Sequence, residues 1–174
     1  MFNGAQILRL GRDLIFNCST ENHRLGQLWL ENHLRASGEE YRIHEINIAD
    51  NHIDAKLVAL RPGLLLVHRG LNINLLPKFI RSWDKIWYDP VDLAHSENQE
   101  TLALASESIG MNLLSLSPDK VMLQNGQEPL MRQLAKHGID SVPVPWRHGQ
   151  LLGGGMHCMS LDIRRWGHLE DYQK

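Results

Sequence analysis

The chain of 174 residues has only two cysteines, Cys18 and Cys158, and they stand far apart with no Cys-x-x-Cys spacing. That scarcity excludes a disulfide scaffold and a thiolate zinc site, and makes a reducing compartment the expectation. Histidine is plentiful, with ten residues, but no two stand at the i, i+4 spacing of a helical metal site. His23, His33, His44, His68, His95, His137, His148 and His168 are scattered, and no metal is expected. No apolar run approaches the roughly 18 residues of a membrane span. The N-terminus lacks the basic, apolar and small-residue succession of a signal peptide. A cytoplasmic protein with no membrane partner is the expectation. Eighteen basic against 20 acidic residues, a net charge of -2, leave no electrostatic footprint for nucleic acid. What is present, 43% hydrophobic and 22% charged residues, is the composition of a globular domain with a real core.

An order of elements recurs along the chain. Residues 5-AQILRL-10, the turn 11-GRD-13, 14-LIFNC-18, an amphipathic run from Asn22 to Leu34 and 41-YRIHEI-46 read as strand, turn, strand, helix, strand. The same order returns in 56-KLVAL-60, Arg-Pro-Gly, 64-LLLVH-68, a helical run through 73-INLLPKFI-80 that Pro77 shortens or kinks, and 83-WDKIWY-88. A third round is 111-MNLLSL-116, 117-SPDK-120, 121-VMLQ-124, the helix 127-QEPLMRQLAKHG-138 closed by Gly138, and 140-DSVPVP-145. A period of about 50 residues with one ββαβ unit per period predicts a propeller-like or solenoid array. An ordinary open α/β sheet is the alternative. The segment 159-MSLDI-163 reads as the first strand of a further unit, and the repeats cover approximately 3–48, 52–90 and 105–146, with a closing strand in 157–165 of a single domain spanning 1–174.

Just ahead of each first strand stands a polar or reactive residue: Asn3, then 52-HID-54, then 105-ASES-108, then 157-HC-158. Equivalent positions of a circular array converge on one axis, so a histidine, a carboxylate, serines and a cysteine are expected to meet in a cleft. Nucleophilic catalysis by a thiol needs such a meeting. Each residue alone has a plainer explanation. Cys158 can be a small buried hydrophobe, Ser106 a helix cap, His52 and Asp54 a self-satisfying loop pair, and the three glycines 153–155 a simple turn. The glycines also let the backbone approach a ligand closely and leave the thiol uncovered, which raises the reactive reading.

The ending 152-LGGGMHCMSLDIRR-165, with 11-GRD-13 and 52-HIDA-55, resembles the amidinotransferases that move an amidino group from arginine to an amine, from Phe2 to the C-terminus. The resemblance implies the pentein fold, a five-bladed α/β propeller of ββαβ units, of which about three blades and a closing strand are present. It implies Cys158 as nucleophile on the guanidinium carbon through an amidino-cysteine intermediate, and His52 as the acid/base. Asp54 is implied as the carboxylate that binds the guanidinium, and Ser106 as a holder of arginine's α-amino end. Asn3 falls where the family has an aspartate that orients the catalytic histidine; an amide can accept a hydrogen bond there but carries no charge. Ala105, Lys56 and Leu71 also depart from the family pattern, with Arg69 near the last.

The implied partners are arginine and an amine acceptor, with no cofactor, and association with missing N-terminal blades or with another copy of the chain. Two alternatives stand beside amidino transfer by a truncated chain: a guanidino hydrolase sharing the covalent intermediate, and an inactive pentein remnant acting as a binding module.

Overall fold

The computed structural model describes residues 2–50, 52–90, 109–146, 149 and 153–173. Three ββαβ units follow one another. The first comprises β1 (Ile7–Leu10), β2 (Asp13–Asn17), α1 (Glu21–Ala36) and β3 (Arg42–Ile46). The second comprises β4 (Leu57–Arg61), β5 (Leu64–His68), α2 (Lys78–Arg81) and β6 (Asp84–Tyr88), and the third β7 (Leu114–Ser117), β8 (Lys120–Gln124), α3 (Glu128–Lys136) and β9 (Asp140–Val144). Each unit makes its own three-stranded mixed sheet, with its second strand in the middle. A hairpin pairs the first two strands antiparallel, and a helical crossover brings the third in parallel. The central position explains the apolar run 64-LLLV-67: all four side chains are fully buried, because both faces of a middle strand are covered.

Short 3-10 turns precede the first strands: Gly4–Gln6, Ile53–Ala55 and Ile109–Met111. The turns touch one another in sequence order, and β1 meets β4 as β4 meets β7. The segments ahead of the repeats thus lie along one inner edge. Pro77 acts as predicted, dividing the second crossover into the 3-10 turn Ile73–Leu75 and the short α2, which it caps. Gly138, at φ +69°, closes α3 while the Ile139 amide bonds back to Leu134 O at 3.0 Å.

α2 and α3 each pack between their own unit and the preceding one. Leu130 and Leu134 of α3 share a core cluster with Leu64, Leu66, Ile86 and Tyr88 of the second unit, each such burial worth about 1.5–3 kcal/mol. Ile80 of α2 packs with Leu10, Ile15 and Ile46 of the first. α1 has no preceding sheet among the described residues, and its Leu25, Leu28 and Trp29 stay exposed. None of the described helices is long and apolar enough to cross a membrane.

Two expectations are corrected. The strand expected over 111–116 starts at Leu114, because Met111 belongs to a 3-10 turn and Asn112 is engaged elsewhere. The strand 159-MSLDI-163, and with it the closing strand in 157–165, does not form: residues 157–159 are in turns and the rest is irregular, with Leu161 85% and Ile163 93% exposed. A strand is stable only as part of a ladder, and this segment pairs with no strand among the described residues.

Beyond it the chain returns to the first two units. Arg12 N–H donates to Glu170 O at 3.0 Å, and Tyr172 packs edge-on against Trp83. Gly11, at φ +56°, is required twice over, since a Cβ there would also lie 2.1 Å from Glu170 O. Asp13, fully buried, accepts from Arg42 at 2.7 and 2.8 Å and lies 2.7 Å from His44 Nε2. Arg42 also reaches Asp171 at 2.6 Å. Burial pushes the Asp13 carboxyl up, but the hydrogen bonds from Arg42, His44 and Gln173 outweigh it and hold its pKa below the ordinary value. The Gly-Arg-Asp motif is therefore a structural anchor in this chain.

Candidate active site

The loop 153–159 is built by its glycines. Gly153 takes φ +73°, the Trp146 indole N–H holds Gly154 O at 3.0 Å, and a Cβ on Gly154 would press to 3.3 Å from Cys158 Cβ. A Cβ on Gly155 would come within 2.6 Å of Asn112 Cβ and 2.8 Å of its Oδ1. The loop can lie against Asn112 only because residue 155 is glycine. The Met159 amide closes it on Gly155 O at 3.2 Å, and Cys158 is left exposed.

The thiol stands between two side chains from different units. Cys158 Sγ is 3.7 Å from Asp54 Oδ2 and 3.0 Å from Asn112 Nδ2. Asn112 Nδ2 also donates to Asp54 Oδ2 at 2.6 Å, and Asn112 Oδ1 accepts the Cys158 amide at 2.9 Å. His157 Nδ1 lies 3.5 Å from Asp54 Oδ2. Burial, then the Asp54 charge, push the Cys158 thiol above its ordinary pKa, and the Asn112 hydrogen bond works against them. The bond to Asp54 raises the pKa of His157 despite its partial burial. At rest the arrangement holds a protonated thiol beside a carboxylate. A cation placed against Asp54 would relieve the charge that keeps the proton on sulfur.

Beside this cluster is a cleft of about 290 Å³, walled by β1, β4, β7 and the 3-10 turns, with Asp54, Asn112 and His157 among its lining residues. Arg9, Asp162 and Arg165 add charge of both signs. Cys158 does not line it but is held at its side by Asp54 and Asn112, which do. No group of three or more His, Cys, Asp or Glu among the described residues is arranged to hold a metal.

Of the residues singled out in the sequence, Cys158 and Asp54 are brought together. His52 stands at the N-cap of the turn carrying Asp54, half-buried, and no hydrogen bond or ion pair joins it to Cys158, Asp54 or Asn3 among the described residues. Asn3 is exposed at the N-cap of the first turn, its backbone N–H donating to Gln6 Oε1 at 3.0 Å. Ser106 and Ala105 lie outside the described residues. Lys56 ends the turn of Asp54, Leu71 is a core residue, and Arg69 is paired with Asp89, one bond being 2.7 Å. Sequence reasoning missed Asn112. The available signal was a lone amide inside the apolar run 109-IGMNLLSL-116, where a buried polar group needs partners.

No family model matches the chain. It is 38% identical over 177 residues to inosamine-phosphate amidinotransferase 1 of Streptomyces glaucescens, covering 99% of this chain and 49% of that protein. It is 34% identical over 174 residues to the L-arginine:L-lysine amidinotransferase of Pseudomonas savastanoi pv. phaseolicola, covering 98% and 46%. The structure of inosamine-phosphate amidinotransferase from Streptomyces griseus superposes with a TM-score of 0.87 at 38% identity, over 99% of this chain and 49% of that one. A dimethylarginine dimethylaminohydrolase structure, at 16% identity and a TM-score of 0.61 over 89% of this chain and 54% of that one, shares the fold alone. The fold is of the pentein type, built of mixed sheets. The chain spans about half the length of the curated relatives it matches.

Proposed function

Taking this chain as a homologue of the amidinotransferases over the half of their length that it spans, we propose that it carries the nucleophile of an amidino transfer from arginine. Cys158 gives its thiol proton to His52 and its Sγ attacks the guanidinium carbon, the bond from that carbon to the departing amine breaks as His52 passes the proton to that nitrogen, and ornithine leaves. The amine acceptor then attacks the amidino-cysteine, loses a proton to His52 and expels the thiolate. Asp54 binds the planar cation and Ser106 takes arginine's α-amino end; Asn3, which the resemblance places beside His52, makes no bond to it among the described residues and supplies no charge.

The observation that carries this reading is the placement of an exposed cysteine sulfur 3.7 Å from a carboxylate at the side of a cleft. Asp54 then has two uses. It attracts the guanidinium, and once that cation is bound its charge no longer holds the proton on sulfur.

Completion of the site belongs to the same proposal. α2 and α3 each share a core with the unit before them as well as with their own, whereas Leu25, Leu28 and Trp29 of α1 are uncovered. A further ββαβ unit, in the rest of a longer protein or another polypeptide, fits that face and extends the array toward a five-bladed ring. Contact with a second copy is the other way of covering it. The test is mass mapping after exposure to arginine. One added amidino group on Cys158, with ornithine released in equal amount, supports the proposal, and an unmodified Cys158 in the completed assembly contradicts it.

A second reading, a binding module without turnover, is favoured by one observation: Asn3 is exposed and makes no bond to His52 among the described residues. Arginine bound without ornithine release selects it.

A further inference from the structure

We propose that Asn112 is a positioning residue for the Cys158 thiolate, using one amide to fix the sulfur, the cysteine backbone and the Asp54 carboxylate in a single arrangement. The inference rests on the reading of Cys158 as nucleophile. Asn112 is only 7% exposed, and its side chain is fully used. The two Nδ2 hydrogens face two acceptors, Asp54 Oδ2 at 2.6 Å and Cys158 Sγ at 3.0 Å, while Oδ1 takes the Cys158 amide at 2.9 Å.

A structural explanation alone does not require this amide. The main chain of residue 112 already holds its surroundings, its N–H donating to Ile109 O at 2.9 Å and its carbonyl accepting from the His157 amide at 3.2 Å. Those bonds survive any side chain. What only the amide supplies is a neutral double donor between two groups that repel one another once the sulfur ionises. An N–H···S bond strengthens as the sulfur gains charge, so the donor favours thiolate over thiol. The glycine opposite is independent support. A Cβ on residue 155 would meet Asn112 Cβ, its carbonyl oxygen and its Oδ1, so the loop is packed closely on residue 112 and holds the sulfur within reach of the amide.

Other charges act on the sulfur as well. Asp54 faces it from the 3-10 turn, His157 lies on its own loop beside Asp54, and Arg9, Asp162 and Arg165 line the neighbouring cleft. They are common to all the variants below, so differences among those variants read the amide.

The experiment is the pH profile of iodoacetamide alkylation of Cys158 in the 174-residue chain, followed site by site by mass spectrometry. A sulfur–carbon bond forms, the carbon–iodine bond breaks with loss of iodide, and the thiol proton has already passed to solvent. The midpoint therefore reports thiol ionisation. N112A is expected to raise the midpoint by about one pH unit, which is about tenfold slower labelling below it. N112S, keeping one donor, falls between N112A and the parent. G155A, which leaves Asn112 in place but pushes the loop off it, shifts the midpoint in the same direction. An N112A midpoint equal to the parent's, with Cys18 still protected, overturns the proposal. If N112A loosens the fold and unmasks Cys18, unchanged midpoints in N112S and G155A overturn it equally. Arginine turnover, measured in the assembly completed by the remaining blades, separates the two readings. A midpoint shift without ornithine release keeps the positioning role and sinks the transfer, and release without a shift does the reverse.

Discussion

Cys18 and Cys158 are the two thiols of the chain, and they occupy opposite kinds of site. Cys18 directly follows β2, is 8% exposed, and has its amide bonded to Ile46 O at 2.7 Å, so the sheet continues past it. Burial, with the nearby Glu45 charge adding to it, pushes its thiol up to about 11. Cys158 sits on a loop that three glycines shape, exposed, with an amide and a carboxylate from two other units turned toward its sulfur. Burial raises its pKa too, but here a donor opposes the rise and a nearby carboxylate makes it depend on what cation is bound. The difference teaches that the repeat delivers the chemistry. A sheet interior makes a thiol inert, whereas the junction of repeats surrounds one with partners that are distant in sequence.

The largest expected effect is on labelling. At pH 7–8, iodoacetamide is expected to modify Cys158 on the order of 10²-fold faster than Cys18 in the folded chain. Equal rates under conditions where circular dichroism shows the fold intact would erase the distinction. Removing the carboxylate acts on one thiol only. Asp54→Asn is expected to lower the Cys158 alkylation midpoint by about one pH unit while cutting arginine-dependent ornithine release on the order of 10²-fold. The Cys18 rate stays unchanged. A midpoint that does not fall would mean that Asp54 has no electrostatic hold on the sulfur.

How far this was legible beforehand differs between the two cysteines. The order of strands and helices was plain, because alternation and helical periodicity are local signals. So were the Pro77 break and the Gly138 stop, whose backbone chemistry is fixed by one residue. Asp54 was legible through its place ahead of a first strand, and Cys158 through its glycines and the family resemblance, since the strand expected after it does not form. Asn112 was not, since its segment reads as the start of a strand and its role exists only where Gly155 and Asp54 come together. The segment 159–163 alternates like a strand yet lacks a ladder partner, which no local pattern reports. The Gly-Arg-Asp motif carries part of the family resemblance, but its buried Asp13 serves an ion pair with the half-exposed Arg42 and a hydrogen bond to the returning C-terminal Gln173.

That anchor, which bonds to neither thiol, gives a stability control. Asp13→Asn leaves the half-exposed Arg42 with Asp171 as its remaining carboxylate partner and is expected to cost about 2 kcal/mol in urea unfolding, with the Cys158 midpoint unaltered in the folded fraction. Because the folded pKa of Asp13 is depressed, its contribution is present above the ordinary carboxylate value of 3.8 and is lost as pH falls through the folded value. The parent and the variant should therefore converge in stability in acid. A stability difference that persists undiminished there would contradict the ion-pair account.

The smallest effect concerns His157, whose side chain is 60% exposed. Its raised pKa means that pairing with Asp54 stabilises the fold fully below the unfolded value near 6.5 and that this is lost as pH rises through the folded one. His157→Gln is expected to give a slight loss of stability at pH 6 and none at pH 9. The reverse order would exclude the pairing.

The most direct test of the central claim is to trap the intermediate. The chain, alone and completed by the remaining blades of a full-length amidinotransferase, is incubated with arginine, quenched in acid and mapped by mass spectrometry. The account predicts one amidino group on Cys158 in the completed assembly, none on Cys18, and ornithine formed in equal amount. Ornithine formed with Cys158 unmodified, or formed equally well by Cys158→Ala, would contradict it.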